Sequence, residues 1–273
     1  MQLEPLRGVG AVVKGVDLRH LDQGEEARLK QAFADHGVLF FRNQNLTPDD
    51  HIAFARRFGP INVNRFFKAT ATHPEIAEVR KEKDQTTNIG GAWHTDHSYD
   101  QEPALGSVLV ARNLPKTGGD TLFASMYAAY DGLSEGLKET LSRLRAVHSS
   151  RHVFGAQGAY RDDAGQRIGN AQAATQDAIH PVVITHPLSG RKALYVNPAF
   201  TLHFEGWTQE ESWPLLSYLY QHATHEAYTT RFIWQPGSVA FWDNRATWHY
   251  ALNDYHGDFR LMHRITIEGC PLV

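Results

Sequence analysis

The first sixty residues alternate between helical and strand-like spacing of apolar side chains. Residues 25–36 carry apolar positions at helical spacing, and Gly37 follows as a residue that ends the helix. The apolar run at residues 38–41 then predicts a buried strand. Thr47 followed by Pro48 and two acids is an N-cap signal, and it predicts a second helix that ends near Gly59.

Farther along the chain, short apolar or alternating runs separated by Pro and Gly predict strands. They fall at residues 107–111, 182–185, 193–196, 229–234, 238–242 and 259–267. A capping box formed by Thr208 and Glu211 predicts one later helix. Many short strands with few helices indicate a mainly β fold with flanking helices and a double-stranded β-helix (jelly-roll) core, in a single domain over residues 1–273. Residues 155–178 are polar and lack periodicity, so we expect a long loop or lid.

Net charge, the lengths of apolar runs and the cysteine count exclude several classes of partner and site. The 27 Lys and Arg residues against 30 Asp and Glu give a net charge of −3, which argues against a nucleic-acid partner. The sequence has neither a signal-peptide pattern nor an apolar run of membrane length, and we expect a cytoplasmic protein that does not bind membranes. Cys270 is the only cysteine, which excludes a disulfide framework and a thiolate metal site.

Two residues near position 95 have the spacing of metal ligands. His94 and Asp96 are two apart, which on a strand places both side chains on one face, whereas His97 would point the other way. A distant histidine can complete a set of two imidazoles and one carboxylate that leaves other coordination positions open. The best candidate is His249, although His256 lies nearby in the sequence.

Two arginines follow on the last predicted strand. Arg260 and Arg264 are four residues apart, so a strand directs both guanidinium groups to one face, and His263 alternates away from it. Guanidinium groups match carboxylates with paired hydrogen bonds, and buried cations are costly unless anions meet them. This face is therefore predicted to be an anion site, with ion pairs to Asp254 or Asp258 as the alternative.

Blocks over nearly the whole chain resemble one enzyme family. They are Phe58-Gly59, Trp93-His94-Thr95-Asp96, Gly118-Gly119-Asp120-Thr121, Tyr195-Val196-Asn197, Trp242-Asp243-Asn244-Arg245 and His249 through Arg264. In this order and spacing the sequence resembles the taurine dioxygenase and phenoxyalkanoate dioxygenase family of Fe(II)/2-oxoglutarate-dependent oxygenases. The resemblance implies hydroxylation of a small anionic organic substrate with decarboxylation of 2-oxoglutarate to succinate. A dimer or tetramer is also expected from the resemblance.

The resemblance also implies roles for individual residues. The Fe(II) ligands would be His94, Asp96 and His249. Thr121 and Arg260 would bind the distal carboxylate of the co-substrate 2-oxoglutarate, and O2 would be the oxidant. Arg264 would face the acidic head of the primary substrate.

The substrate positions depart from those of the taurine enzymes. Where these carry a histidine, a tyrosine and an asparagine, the chain has Asn64, Phe67 and Gly90. Loss of several polar contacts weakens selectivity for a small zwitterion. We therefore expect a substrate whose anionic head meets Arg264 and whose more apolar body packs near Phe66, Phe67 and Tyr99. Sulfonates, sulfate esters and aryloxy-carboxylates remain open, so an alkylsulfate-cleaving or aryloxyalkanoate ether-cleaving dioxygenase is an alternative.

Two other classes use the same residues. Two histidines and an aspartate also suit a zinc-dependent hydrolase, although that class has no need of the carboxylate-binding Arg260. A non-catalytic jelly-roll binding protein would keep the fold without turnover.

Overall fold

The computed structural model of the protein describes residues 1–163 and 167–273. Its strands, in chain order, are β1 (Gln2–Pro5), β2 (Ala11–Lys14), β3 (Val38–Phe41), β4 (Ile61–Asn62), β5 (Ala77–Lys81), β6 (Gly106–Asn113), β7 (Thr121–Ser125), β8 (Arg145–Ser149), β9 (Asp177–Pro181), β10 (Val183–Thr185), β11 (Lys192–Leu194), β12 (Thr201–Phe204), β13 (Thr229–Phe232), β14 (Val239–Asp243), β15 (Thr247–Ala251) and β16 (Arg260–Ile267). The described residues are therefore rich in short strands, as the sequence predicts.

The α-helices are α1 (Gln23–His36), α2 (Pro48–Arg56), α3 (Met126–Asp131), α4 (Glu135–Leu141), α5 (Arg151–Phe154) and α6 (Gln209–Ala223). Capping boxes begin the three long helices, with Asp22, Thr47 and Thr208 as N-caps. Gly37 ends α1 in the left-handed conformation at φ 72°. None of the helices in the described ranges is long and apolar enough to cross a membrane.

The strands form a large sheet and three small ones. The large sheet has the order β1-β2-β3-β14-β6-β16-β4, with β5 paired to the free side of β16. A three-stranded sheet has the order β13-β7-β15. Apart from the parallel pair β2 and β3, the neighbours are antiparallel. This arrangement agrees with the predicted mainly β jelly-roll class.

Apolar side chains fill the space between the two sheets and cover the outer face of the large one. Phe40 and Trp242 of the large sheet share a buried cluster with Phe123 and Phe232 of the three-stranded sheet. On the opposite face, helices α1 and α2 pack against the large sheet, where Phe33 stacks on Phe241 at 4.0 Å between ring centroids. The large sheet, whose strand β16 carries Arg260 and Arg264, is thus packed on both faces.

The sequence missed several elements because their local patterns are weak. Helices α3 and α4 and strands β7 and β15 were not predicted, although β15 carries His249. In the expected loop at 155–178, short 3-10 helices occupy Arg161–Asp163 and Ala171–Ala173, and β9 begins at Asp177. Residues 164–166 of that segment lie outside the described residues.

A buried histidine on α2 predicts acid sensitivity. The His51 ring is fully buried with Nε2 3.1 Å from the Val108 carbonyl oxygen, and burial together with Arg112 lowers its pKa from 6.5 to about 3. Because only the unfolded chain protonates this group at mildly acid pH, its contribution is complete above pH 6.5 and is lost as the pH falls toward 3. We expect the free energy of unfolding of the wild type to fall by about 2 kcal/mol more than that of His51→Gln between pH 7 and 4.5.

Urea unfolding at several pH values measures this difference, and His20→Gln at an exposed position is the control. Parallel pH profiles for the wild type and His51→Gln would contradict the prediction.

Candidate active site

The two candidate histidine ligands are direct cross-strand partners. His94 forms an isolated antiparallel bridge with His249 of β15. The His94 N–H donates to the His249 carbonyl at 3.1 Å, and the His249 N–H donates back at 2.8 Å. The ring centroids lie 4.0 Å apart. Backbone pairing therefore brings together two imidazoles that are far apart in the sequence.

Asp96 reaches the same point by a different route from the one predicted. Residues 93–97 do not form a regular strand, because the chain leaves the bridge after His94 and turns at residues 96–99, with His97 at φ 61°. Strand alternation therefore does not explain the convergence of residues 94 and 96. The His97 ring is not part of this group. Its Nδ1 is hydrogen-bonded to Asp100 Oδ2 at 2.8 Å, as expected for a histidine that is not a ligand.

The three side chains have the geometry of a metal site. Asp96 Oδ1 lies 3.8 Å from His94 Nε2, and Asp96 Oδ2 lies 3.9 Å from His249 Nε2. One ligand atom from each residue lies within 4.8 Å of the other two. His94 Nδ1 donates to the Ala92 carbonyl at 2.7 Å, which leaves Nε2 free to accept a metal ion.

The electrostatics favour the protonation states that bind metal. Burial lowers the pKa of both imidazoles, which keeps them neutral. Burial by itself raises the pKa of Asp96, but the charge of the adjacent Arg264 guanidinium opposes it, and that pKa lies below its usual value. Two neutral imidazoles and one carboxylate, buried together, are a donor set that fits Fe(II).

Arg260 and Arg264 of β16 both line the cavity beside these ligands, as predicted. Arg264 Nη1 lies 3.2 Å from both Asp96 oxygens, and its guanidinium carbon lies 4.3 Å from the Phe67 ring centroid. Among the described residues, Arg260 Nε and Nη2 and Arg264 Nε have no hydrogen-bond acceptor. The alternative explanation was an ion pair of either arginine with Asp254 or Asp258, and no such pair is formed among the described residues. Arg264 pairs with Asp96 instead, and Asp254 pairs with Arg231.

Thr121 borders the cavity close to Arg260. Its hydroxyl accepts a hydrogen bond from the Trp234 indole N–H at 3.0 Å, and the Trp234 ring centroid lies 5.9 Å from the Arg260 guanidinium carbon. The turn before β7 contains Gly119 at φ 71°, where a Cβ atom would lie 3.3 Å from Arg260 Cδ and Nε. Glycine there gives this arginine room beside Thr121.

The rest of the wall is mainly apolar, and most of it escaped prediction. Residues that line the cavity without having been predicted include Val79, Ile89, Leu109, Val153, Phe154, Tyr160, Phe200 and Trp242. They come from separate elements, and each has the ordinary sequence pattern of a core residue. Two of them carried a signal, because Tyr160 lies in the predicted lid segment and Trp242 lies in one of the blocks that resemble the family.

Three of the five predicted substrate residues line the cavity and two do not. Phe67, Gly90 and Arg264 border it. The Asn64 side-chain oxygen instead accepts from the backbone N–H groups of residues 66 and 67 at 2.9 Å, so it closes a turn. Tyr99 lies behind the wall, where its ring packs against Phe66, Phe154 and Phe200.

A facial set of two imidazoles and one carboxylate, with open positions toward a cavity, is typical of non-haem Fe(II) oxygenases. The comparisons with known proteins agree with this class. The family described as "Taurine catabolism dioxygenase TauD, TfdA family" matches residues 2–266, and the chain belongs to this family. It is a 2-oxoglutarate-dependent dioxygenase that uses Fe(II), 2-oxoglutarate and O2.

Individual relatives cover almost the whole chain. An "Alkylsulfatase" of Acinetobacter baylyi is 35% identical over 98% of this chain and 85% of its own length. A "(S)-phenoxypropionate/alpha-ketoglutarate-dioxygenase" of Sphingobium herbicidovorans is 34% identical over 96% of this chain and 92% of its own length. The crystal structure of a "Taurine Dioxygenase" from Burkholderia xenovorans is 34% identical, with a TM-score of 0.83 over 100% of this chain and 90% of that one.

Gly90 lies against the ring of His94, which predicts a specific effect of a side chain there. At φ 78°, a Cβ atom at this position would lie 3.2 Å from His94 Cε1 and 3.7 Å from Nε2. Gly90→Ala should cost about 1 kcal/mol for the left-handed backbone and should also weaken Mn(II) binding by displacing the imidazole. Chemical unfolding and Mn(II) titration measure the two effects.

Gly190→Ala is the matched control, because Gly190 has φ 70° and nothing within 4 Å of its Cβ position. It should lose similar stability without any change in Mn(II) affinity. Equal Mn(II) affinities for the two variants would contradict the contact with His94.

Proposed function

We propose that this dioxygenase hydroxylates a small organic acid with a sulfonate, sulfate or carboxylate head while 2-oxoglutarate is converted to succinate and CO2. One observation carries the proposal: two buried arginines on one face of β16 have N–H groups without an acceptor among the described residues. They share an otherwise apolar cavity with His94, Asp96 and His249. Two anions are the natural complement of two such cations.

The metal ligands in this proposal are His94, Asp96 and His249, which would hold Fe(II) on one side of the cavity. Bound Fe(II), with 2-oxoglutarate and O2, supplies the oxidising power that inserts one oxygen atom into a substrate C–H bond. The protein contributes neutral imidazoles and an ionised carboxylate, because the burial and ion pairing described above set those states. Apolar walls keep bulk water away from the reacting carbon.

Arg260 and Thr121 are proposed to bind the distal carboxylate of 2-oxoglutarate. Arg260 is about 4% exposed and burial lowers its pKa, so an anionic ligand relieves an unfavourable environment. The Trp234 indole occupies one lone pair of the Thr121 hydroxyl and orients it, so that its proton is available to a carboxylate.

Arg264 is proposed to meet the anionic head of the primary substrate. Its position against Asp96 and the Phe67 ring fixes the guanidinium near the metal, and Nε remains available. The substrate body would then contact Phe67, Phe154 and Phe200. Asn64 and Tyr99 would act indirectly, by supporting the residues that form this wall.

The apolar wall favours an alkyl sulfate, an alkyl sulfonate or an aryloxy-carboxylate over a small zwitterion. Hydroxylation of the carbon that bears the sulfate, sulfonate or aryloxy group gives an unstable product that releases that group. Alkylsulfate cleavage and aryloxyalkanoate ether cleavage are thus two outcomes of one reaction. The alkylsulfatase and the phenoxypropionate enzyme among the relatives lend support to both.

We further propose that residues 155–178 act as a lid and that the chain is one domain that assembles as a dimer or tetramer. Tyr160 supports the lid role, because it lines the cavity and its hydroxyl accepts from the Gly90 N–H at 3.0 Å. The family match over residues 2–266 supports a single domain. Light scattering on the purified protein measures the subunit number.

Removal of Arg260 should selectively weaken binding of 2-oxoglutarate. Because the variant loses charge-assisted hydrogen bonds worth about 2 kcal/mol, Arg260→Ala should raise the 2-oxoglutarate Kd about 30-fold. Anaerobic titration of the Fe(II) protein, followed by the visible charge-transfer band of the chelate, measures this Kd. Arg80→Ala on the neighbouring strand β5, whose guanidinium pairs with Glu78 and Glu82, is the control and should bind like the wild type. A wild-type Kd for Arg260→Ala would refute the assignment.

Substrate class is tested with a panel of acids. Hexyl sulfate, hexanesulfonate and 2-phenoxypropionate should each stimulate succinate formation more than taurine, because their bodies bury apolar surface in the cavity. Uncharged hexanol should fail, and Arg264→Gln should lose most of the preference for the anions. Faster turnover with taurine than with every bulkier acid would exclude the apolar pocket. Activity with Zn²⁺ in the absence of O2 would instead favour the zinc hydrolase.

A further inference from the structure

Thr95 stands between two metal ligands and makes a contact that the function proposed above does not use. It is about 2% exposed, and its hydroxyl donates a hydrogen bond to the backbone carbonyl of Asn244. Asn244 lies in the turn between β14 and β15, and β15 carries His249. The contact therefore joins the segment of His94 and Asp96 to the segment of the third ligand.

Asp96 needs such a link more than the histidines do. The backbone bridge fixes His94 and His249 relative to each other, but it ends before Asp96. The carboxylate itself contacts the Ser107 hydroxyl at 3.3 Å and Arg264 Nη1 at 3.2 Å. The positive charge of Arg264 attracts the carboxylate toward β16. The position of Asp96 relative to the two imidazoles therefore depends on how firmly the backbone around residue 95 is held.

Asn244, whose carbonyl accepts from the Thr95 hydroxyl, is itself held by two further hydrogen bonds. The Asn244 N–H donates to the Leu105 carbonyl at 3.0 Å, and its side-chain oxygen accepts from the Trp242 indole N–H at 2.8 Å. The Trp242 ring lies 4.6 Å from the His249 ring, measured between centroids. A displacement of Asn244 would therefore disturb the packing of His249 as well.

We propose that the hydrogen bond from the Thr95 hydroxyl to the Asn244 carbonyl positions the Asp96 carboxylate relative to the two imidazoles. Thr95 is a positioning residue, since it binds neither metal nor substrate. Its hydrogen bond is a second link between the segment that carries His94 and Asp96 and the segment that carries His249. The first link is the backbone bridge between residues 94 and 249. The inference rests on the metal site proposed above.

The test compares two substitutions at one position. Thr95→Val keeps the shape and removes the hydroxyl, whereas Thr95→Ser keeps the hydroxyl and removes the methyl group. Loss of a group that orients a ligand typically lowers metal affinity 10- to 100-fold. We expect Thr95→Val to raise the Mn(II) Kd by about that factor and Thr95→Ser to remain within about threefold of the wild type. Free Mn(II) is measured by electron paramagnetic resonance, and unfolding of the metal-free proteins is measured in parallel.

Thr247→Val is the matched control. Thr247 is also fully buried, and its hydroxyl also donates to a backbone carbonyl, that of Asp243 at 2.7 Å. The Thr247→Val variant should lose about as much stability as Thr95→Val, but its Mn(II) affinity should stay near that of the wild type. If Thr95→Val does not fold, Thr95→Ala replaces it in the comparison with Thr95→Ser.

The outcomes separate this inference from the one on which it rests. If the wild type does not bind Mn(II), the metal site itself is wrong. If the wild type binds and Thr95→Val (or Thr95→Ala) binds equally well, the hydroxyl does not position Asp96. An equal loss of affinity in Thr95→Ser and Thr95→Val would assign the effect to the methyl group and overturn the proposal, as would an equal loss in Thr247→Val.

Discussion

The site depends on one pair of backbone hydrogen bonds, between residues 94 and 249. These bonds hold two imidazoles with their ring centroids 4.0 Å apart, although the residues are 155 positions apart in the sequence. Because the link is made by backbone groups, it orients both rings without using their nitrogen atoms. His94 Nδ1 is then fixed by the Ala92 carbonyl, which leaves Nε2 directed toward Asp96.

The charges of Asp96, Arg260 and Arg264 determine how these residues interact around the two imidazoles. Burial keeps the imidazoles neutral, whereas the adjacent Arg264 keeps Asp96 ionised. Arg260 lies in the same cavity without a carboxylate partner among the described residues. A buried cation of this kind is costly to the folded protein, and an anionic ligand offsets that cost. The same feature that costs stability therefore favours the binding of an anion.

The fold supports this arrangement from both sides. Strand β16, which brings both arginines to the cavity, pairs with β6 over residues 261–267 and with β5 over residues 260–264. Helices α1 and α2 cover the outer face of the sheet, and the aromatic cluster of Phe40, Phe123 and Trp242 fills the interior. His249, Arg260 and Arg264 are consequently carried by strands, Asp96 comes from a turn, and Tyr160 reaches the cavity from a loop.

Local patterns in the sequence determined much of this protein. The capped helices, the strand that carries Arg260 and Arg264, and the set of His94, Asp96 and His249 were all identified from spacing, residue chemistry or family resemblance. Strand β15 was missed, and a regular strand was wrongly assumed around His94, because a single bridge and a turn leave no periodic pattern.

Only the tertiary structure decided which side chains meet. The Asn64 side chain bonds to nearby backbone N–H groups, and Tyr99 packs in an aromatic cluster. Three residues that were not predicted, Phe154, Tyr160 and Phe200, form part of the cavity wall. The physical reason is that periodicity reports which face of an element is buried, whereas contacts between distant segments depend on how sheets, turns and loops pack together.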